Sequence, residues 1–332
     1  MSKSVTLLDI AKICNTSNVT VSKALANKKG VSEELRMKIK KTAEEMGYVG
    51  PKTSLGRDNK LVGVLIPDRF MNPNGSFYWA LYNDLVREFG KNGYFCLIET
   101  LSGAYEESLV MPKLLSEEKV TSLVSLGQLK EEYVEKLREN ISPLLLLDYY
   151  TTDTDIDCVI TNGYGGAYDL ATYLIRYGHK KIGFIGTVRS TTSIFDRYMG
   201  YMKALIEHGL DVRKDWVIDD RDENGSIELV FPEEMPTAFV CNCDETALKA
   251  IRKLDEMGLR VPEDISIVGY DNYLISYISK PSITTVNVDS VQMASEAVRC
   301  LTDKIANSSK APEKITISGR IIEKESVRDL NA

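Results

Sequence analysis

Residues 5–48, VTLLDIAKICNTSNVTVSKALANKKGVSEELRMKIKKTAEEMGY, have the spacing of three short helices. Thr6, with Asp9 three residues later, forms a capping-box pattern for the first helix. Asn15 suits a left-handed turn, and Ser17 and Ser32 are N-cap residues for the second and third helices. Because apolar residues recur at helical intervals in each segment, we predict a three-helix unit.

Two helices joined by about three residues are typical of a helix-turn-helix. The second helix, residues 18–26, exposes Asn18, Val19, Ser22 and Lys23, which can contact base edges and phosphates. The same spacing also fits a three-helix cap with no role on DNA. Both interpretations stay open on spacing alone.

Charge is divided unevenly along the 332-residue chain. Residues 1–60 carry 12 Lys+Arg and 6 Asp+Glu, a net charge of +6. Because the whole chain carries −7, residues 61–332 carry −13. A basic arm on an acidic body favours a polyanion partner for the arm, although a solvated helical surface would give the same numbers.

The composition, 43% apolar and 27% charged, is ordinary for a globular protein. No apolar run approaches the ~20 residues of a membrane span, and the N-terminus lacks a signal-peptide pattern. We therefore expect a cytoplasmic protein whose six cysteines are reduced.

The helical stretch resembles the headpiece of the lactose-repressor (LacI/GalR) family of bacterial regulators, approximately VTLxDIAxxAGVSxxTVSRxLNxxxxVSxxTRxxVxxAxxxLGY. The match is long and ungapped. It implies that Asn18, Val19 and Lys23 read bases and that hydroxyl side chains contact phosphates. The predicted DNA interface is Thr6, Ser17, Asn18, Val19, Thr20, Ser22, Lys23, Asn27, Ser32 and Leu55.

The headpiece also departs from the family pattern. Asn15 replaces the usual turn glycine, and Ala26 stands where asparagine is usual, with Asn27 next. Lys23 replaces a usual arginine, which weakens bidentate recognition of guanine. The linker VGPKTSLGRDNK (49–60) is shorter than the family hinge, whose leucine enters the minor groove. Leu55 is the candidate wedge, and a plain tether is the alternative.

After residue 60, short apolar strands alternate with amphipathic helices. Strand patterns include LVGVLIPD (61–68), PLLLLD (143–148), KIGFIG (181–186), TAFVCN (237–242) and DISIVGYD (264–271). This alternation predicts parallel sheets with helices on both faces, and ligands bind such sheets at the carboxyl ends of the strands. Asp68, Asp148, Asn242 or Cys243, and Asp271 end these strands, so we expect a polar cleft there.

The same family resemblance covers most of residues 61–290. It implies a periplasmic-binding-protein-like sensor of two parallel-sheet α/β subdomains, which forms a homodimer. The expected domains are 1–49 (helix-turn-helix), 50–60 (hinge) and 61–332 (effector binding and dimerisation). The subdomains are expected at about 61–149 plus 288–319 and at about 150–287 plus 320–332. The implied effector contacts are Phe77, Tyr78, Asp148, Arg197, Asn242, Cys243 and Asp271.

The segment VCNCDET (240–246) places two cysteines and an aspartate within four positions. A metal site is disfavoured because no further ligand is near in sequence, and a redox pair lacks a partner motif. The family has an effector-binding asparagine near this strand end. We therefore expect Cys243 at the lip of the cleft and Asp244 as the cap of the following helix.

No motif for catalysis or a cofactor is present, and the only histidines, His179 and His208, lack partners at ligand spacing. We predict a DNA-binding transcriptional regulator, not an enzyme, with no cofactor and no membrane partner. It binds a near-palindromic DNA operator as a homodimer, and a small polar effector, a sugar or phosphosugar, controls its affinity. A ligand-binding protein with a vestigial N-terminal domain and an α/β sugar enzyme are the alternatives.

Overall fold

The computed structural model describes residues 5–25, 31–46, 60–71, 77–152, 155–222, 225–273 and 275–332. The chain separates into two compact units, residues 1–59 and residues 60–332. Each unit is built from the elements that its own sequence favours.

The first unit contains α1 (Leu7–Ile13), α2 (Asn18–Leu25) and α3 (Glu33–Glu45), so the three predicted helices are confirmed. α1 begins with the expected capping box between Thr6 and Asp9. Asn15 has φ 50°, the left-handed conformation that turns the chain into α2. Ser17 Oγ accepts a hydrogen bond from Thr20 N at 3.0 Å and caps α2.

A small core holds the three helices together. Ile10, Val21, Ala24 and Ile39 are fully buried within it. Arg36 of α3 is also buried and donates to the carbonyl oxygens of Ala24 and Val31, at 3.4 and 3.3 Å. This side chain ties the end of α2 to α3.

The second unit alternates strands and helices. Its helices are α4 (Phe77–Lys91), α5 (Gly103–Glu107), α6 (Lys113–Ser116), α7 (Glu131–Asn140), α8 (Gly163–Arg176), α9 (Thr192–Glu207), α10 (Asp244–Glu256), α11 (Ile275–Ile278) and α12 (Ser290–Ala306). Its strands are β1 (Leu61–Pro67), β2 (Phe95–Leu101), β3 (Leu123–Leu126), β4 (Leu144–Leu147), β5 (Asp157–Thr161), β6 (Ile182–Ile185), β7 (Val217–Ile218), β8 (Arg221–Asp222), β9 (Gly225–Ser226), β10 (Ala238–Cys241), β11 (Ser266–Asp271), β12 (Thr284–Asn287), β13 (Lys314–Ile317) and β14 (Arg320–Ile322).

Twelve of these strands form two six-stranded sheets. The first has the order β13-β5-β4-β3-β1-β2 and is parallel throughout its pairings. The second has the order β14-β12-β11-β10-β6-β7 and is parallel except for β14, which runs antiparallel to β12. The prediction of two α/β subdomains is confirmed, but the second sheet is mixed rather than wholly parallel.

Within the described residues the chain passes between the sheets three times. The passages lie between Thr161 and Gly163, between Asn287 and Ser290, and between Ile317 and Arg320. The expected first passage near residue 150 is therefore wrong. Asp157–Thr161 pairs with β4 and β13, so the first subdomain includes β5.

Burial along β1 explains the layered arrangement. Val64 lies in one apolar cluster with Leu85 of α4 and Ala297 of α12, whereas Leu65 lies in another with Leu137 of α7. Helices thus cover both faces of the first sheet, as a parallel sheet requires. No helix in the described ranges is long and apolar enough to span a bilayer.

Candidate functional site

A cavity of about 950 Å³ lies at the carboxyl ends of strands from both sheets. Its volume is in the range of small-molecule pockets. Asp148 follows β4 of the first sheet, and Asp271 ends β11 of the second. All seven residues predicted to contact an effector line this cavity: Phe77, Tyr78, Asp148, Arg197, Asn242, Cys243 and Asp271.

Arg197 lies in the cavity wall and is held there by several contacts. It projects from α9, is only 6% exposed, and lies over the Tyr270 ring at 3.9 Å from the ring centroid. Its Nη1 donates to the Asn242 carbonyl oxygen at 2.6 Å, and its Nη2 lies 3.6 Å from Asp271 Oδ1. Burial disfavours the charged form, but the neighbouring carboxylates outweigh burial and raise the pKa of Arg197.

Asp148 has a buried acceptor atom without a hydrogen-bond partner. Tyr78 donates its hydroxyl to Asp148 Oδ2 at 2.9 Å, while Oδ1 has no partner among the described residues. Asp148 adopts φ 67°, a left-handed conformation that is uncommon outside glycine but that aspartate adopts more often than most residues. Burial raises the pKa of the Asp148 carboxyl, although Arg197 opposes the shift. A buried carboxylate with an unused oxygen needs a donor.

Asp271 completes the inner wall from the second sheet. Its backbone φ of 109° also lies in the positive region, which residues other than glycine rarely adopt. Burial raises the pKa of Asp271 well above its usual range, and the charge of Arg197 opposes that effect. The two aspartates and Arg197 therefore form a charged cluster in the cavity wall.

The structure corrects the expectation for VCNCDET. Cys243, not Asp244, is the N-cap of α10, and its Sγ accepts from Thr246 N at 3.5 Å. Burial raises the pKa of the Cys243 thiol to about 11, so it stays protonated near neutral pH. In the part of the chain that the structure describes, no group of three His, Cys, Asp or Glu side chains could hold a metal ion.

Asn242 has a supporting position. It is 1% exposed, and its Nδ2 donates to Asp220 Oδ2 at 2.7 Å. Arg221 Nη2 donates to Asn242 Oδ1 at 3.2 Å and to Asp220 Oδ2 at 2.7 Å. Asn242 thus orients Arg221, a cavity residue that sequence reasoning missed.

Asp220 was missed as well. It accepts hydrogen bonds from Thr187 N at 2.9 Å and from Thr246 Oγ1 at 2.7 Å. Burial alone would raise its pKa, but Arg221 and these donors outweigh burial and lower the pKa of Asp220. The acidic pair before Arg221 in VIDDRD was the only local signal, and it does not reveal contacts with residues 187 and 246.

Two pairs of residues form hydrogen bonds between the subdomains across the cleft. Gln128, after β3, accepts from Thr192 N at 3.1 Å and from Thr192 Oγ1 at 3.0 Å. Tyr150 donates to Asp196 Oδ1 at 3.0 Å. On the second subdomain, both Thr192 and Asp196 lie in the first turns of α9, the helix that carries Arg197.

The predicted DNA contacts lie in the first unit. Asn18 and Lys23 are exposed on α2, and Thr6, Ser17 and Ser32 are exposed at helix starts. Thr20 is half-buried, and its hydroxyl bonds to Ser17 Oγ at 2.8 Å. The side chains of Val19 and Ser22, and all of Asn27 and Leu55, lie outside the described residues.

Comparison with known proteins identifies relatives of both units. Residues 6–50 match bacterial regulatory proteins of the lacI family, and residues 171–327 match the periplasmic binding protein-like domain. The HTH-type transcriptional repressor PurR of Aliivibrio salmonicida is 28% identical over 335 residues, which cover 98% of this chain and 99% of the relative. PurR of Escherichia coli O139:H28 is also 28% identical, over 338 residues covering 98% and 97%.

Solved structures share the fold. A transcriptional regulator CelR–cellobiose complex superposes with a TM-score of 0.70 at 22% identity, over 97% of this chain and 99% of that one. A lac repressor dimer bound to operator and the anti-inducer ONPF gives 0.68 at 21% identity, over 98% and 100%. CCPA from Weissella paramesenteroides with bound glucose gives 0.66 at 25% identity, over 82% and 100%.

Proposed function

We propose that the chain is a DNA-binding transcriptional regulator of the lacI family that senses a neutral, hydroxyl-rich effector, such as a sugar, between its two α/β subdomains. The proposal depends chiefly on the buried, unpartnered Oδ1 of Asp148, which lines a cavity of about 950 Å³ together with Arg197. A hydroxyl group would supply the donor that this carboxylate needs.

The charge balance favours a neutral sugar over a phosphosugar. Arg197 faces Asp271, and Arg221 is paired with Asp220, so both central cations already have anionic partners. A phosphate would have to compete with those carboxylates and would lie near the charge of Asp148. Phe77 and Tyr78 add aromatic surface, which suits the apolar faces of a sugar ring. Related structures hold cellobiose and glucose.

A thermal-shift screen tests the ligand class. We would compare glucose, cellobiose and ribose with glucose 6-phosphate and adenine, using the full chain. A bound ligand at 100 times its Kd stabilises the folded state by about 2.7 kcal/mol, which raises the melting temperature. Asp148→Asn should weaken the response to a sugar, whereas Asp255→Asn, an exposed carboxylate on α10, should not. A response to glucose 6-phosphate or adenine alone would refute the neutral-sugar proposal.

We further propose that the protein is a homodimer that places two α2 helices on a near-palindromic operator. The related lac repressor is a dimer on its operator. The first subdomain exposes apolar side chains that a second copy would cover: Trp79 and Val86 on α4, and Phe95 and Ile98 on β2. A DNA partner of this kind implies action in the cytoplasm.

Operator selection from random duplexes, with light scattering of the complex, tests this assembly. A dimer should select two half-sites about 10 base pairs, or a multiple of that, from centre to centre. A single half-site and a monomer mass would contradict the proposal. Adding the sugar identified by thermal shift should then change operator affinity, because an effector acts only through unequal affinity for the two conformations.

A further inference from the structure

Asp244 is a buried carboxylate that the helix cap leaves available for another contact. It is the first residue of α10, only 1% exposed, and Cys243 has taken the capping position that the sequence assigned to it. Its Oδ2 accepts a hydrogen bond from Tyr273 N at 3.2 Å. Asp244 therefore contacts the turn that follows β11, at Tyr273, which is two residues after Asp271.

That turn has an unfavourable backbone conformation. Asp271 has φ 109° and Asn272 has φ 53°, both in the positive-φ region that residues other than glycine adopt infrequently. Such conformations persist only where surrounding contacts hold them. Asn272 N donates to Thr285 Oγ1 at 3.4 Å, and Lys324 Nζ donates to Asn272 Oδ1 at 2.9 Å. The hydrogen bond from Tyr273 N to Asp244 holds the C-terminal end of the turn.

The packing around Asp244 is tight on the strand side too. A Cβ atom added to Gly269 would overlap Asp244 Oδ1, so β11 passes the carboxylate with no room for a side chain. Gly269 lies two residues before Asp271 and Tyr273 two residues after it. Asp244 therefore contacts the chain on both sides of Asp271.

We propose that Asp244 is a positioning residue for the effector site, which holds the 271–273 turn so that the Asp271 carboxylate stays beside Arg197. The proposal rests on the proposed function, because that function makes Asp271 an effector contact. Asp271 Oδ1 lies 3.6 Å from Arg197 Nη2, so a small movement of the turn would break this pair. Asp244 itself need not touch the effector.

Amide hydrogen exchange tests the structural part without any ligand. Asp244→Ala should speed exchange at Asn272 and Tyr273 by about tenfold, because the acceptor for Tyr273 N is lost. Asp244→Asn keeps an acceptor oxygen and should restore slow exchange, and Asp255→Ala, on the exposed side of α10, is the matched control. If the alanine variant does not fold, Asp244→Leu keeps the volume without the acceptor. Unchanged exchange in the folded variant would overturn the proposal.

A double-mutant cycle tests whether Asp244 acts through Asp271. Titration calorimetry would use glucose, cellobiose and ribose as probes. Asp244→Ala should weaken binding of a sugar about tenfold in the wild-type background and less than twofold in an Asp271→Ala background. Equal losses in both backgrounds would overturn the proposal. If none of the three sugars binds the wild type, the ligand class is wrong, and hydrogen exchange still decides the role of Asp244.

Discussion

Gly200→Ala should destabilise the second unit strongly, because α8 and α9 cross at this glycine. An added Cβ would lie 2.8 Å from the carbonyl carbon of Tyr164 and 3.0 Å from Tyr168 N, and nearer still to the Tyr164 carbonyl oxygen. These are backbone atoms of α8, so a rotamer change cannot make room and the helices must separate. Overpacking of this kind costs about 1–3 kcal/mol, and a backbone clash belongs near the upper end.

The matched control is Gly90→Ala. Gly90 lies near the end of α4, and an added Cβ there would meet no atom within 4 Å. Replacing an unconstrained helical glycine with alanine stabilises by roughly 0.5–1 kcal/mol. Differential scanning calorimetry should therefore show a fall of roughly 5 °C for Gly200→Ala and a small rise for Gly90→Ala. A Gly200→Ala protein as stable as the wild type would refute the inferred helix contact.

Four further predictions follow, three on ligand or DNA binding and one on the pH dependence of stability. Arg197→Ala should weaken binding of an identified sugar at least tenfold, because Asp271 loses its cationic partner; an unchanged calorimetric titration would contradict this. Gln128→Ala should weaken the same binding about fivefold, since it removes about 1 kcal/mol of hydrogen bonding across the cleft, and equal affinity would count against that contact. Lys23→Ala should weaken operator binding far more than binding to random DNA in fluorescence anisotropy; an equal loss would mean that Lys23 contacts only phosphate. Burial raises the pKa of Asp244 to about 7, although a hydrogen bond with Thr285 and the charge of Lys324 act to lower it. The charge of Asp271 lies close to Asp244. The folded protein therefore retains a proton that the unfolded chain releases near pH 4, so this contribution to stability is full below about pH 4 and is lost as the pH rises to about 7. Between pH 5 and 8 the melting temperature of the wild type should thus fall further than that of Asp244→Asn. Equal falls in the two proteins would contradict the raised pKa of Asp244.

The elements predicted best are those fixed by short-range contacts. The Thr6–Asp9 capping box and the Asn15 turn depend on residues within a few positions, so the sequence contains all the information needed. Asp148 and Asp271 could each be placed at a ligand site because each lies at the carboxyl end of a parallel strand, although the two strands belong to different sheets. Arg197 came from the family resemblance, and the structure shows its pairing with Asp271.

The features missed depend on contacts between distant segments. Asp220 and Arg221 are fixed by Thr187, Asn242 and Thr246, and no local pattern links these positions. β5 follows a loop and precedes a helix of the other subdomain, so its sheet is known only from its pairings with β4 and β13.

The cap of α10 was misassigned by one position for a different reason. Aspartate is a better N-cap than cysteine in general, so the sequence favoured Asp244. The contact with Tyr273 N, which the sequence cannot show, gives Asp244 its other role.

The position of β13 determines the order in which the protein can fold during synthesis. The core of the first unit is complete once α3 has been made, because Ile10, Val21 and Ile39 all precede residue 46. The first sheet, in contrast, lacks its edge strand until Lys314–Ile317 has emerged, and α12 must emerge before it can cover α4. Because domains fold as units and N-terminal ones fold first on the ribosome, the DNA-binding unit forms well before its sensor. A chain released early by the ribosome would carry a folded headpiece without a complete sensor to regulate it.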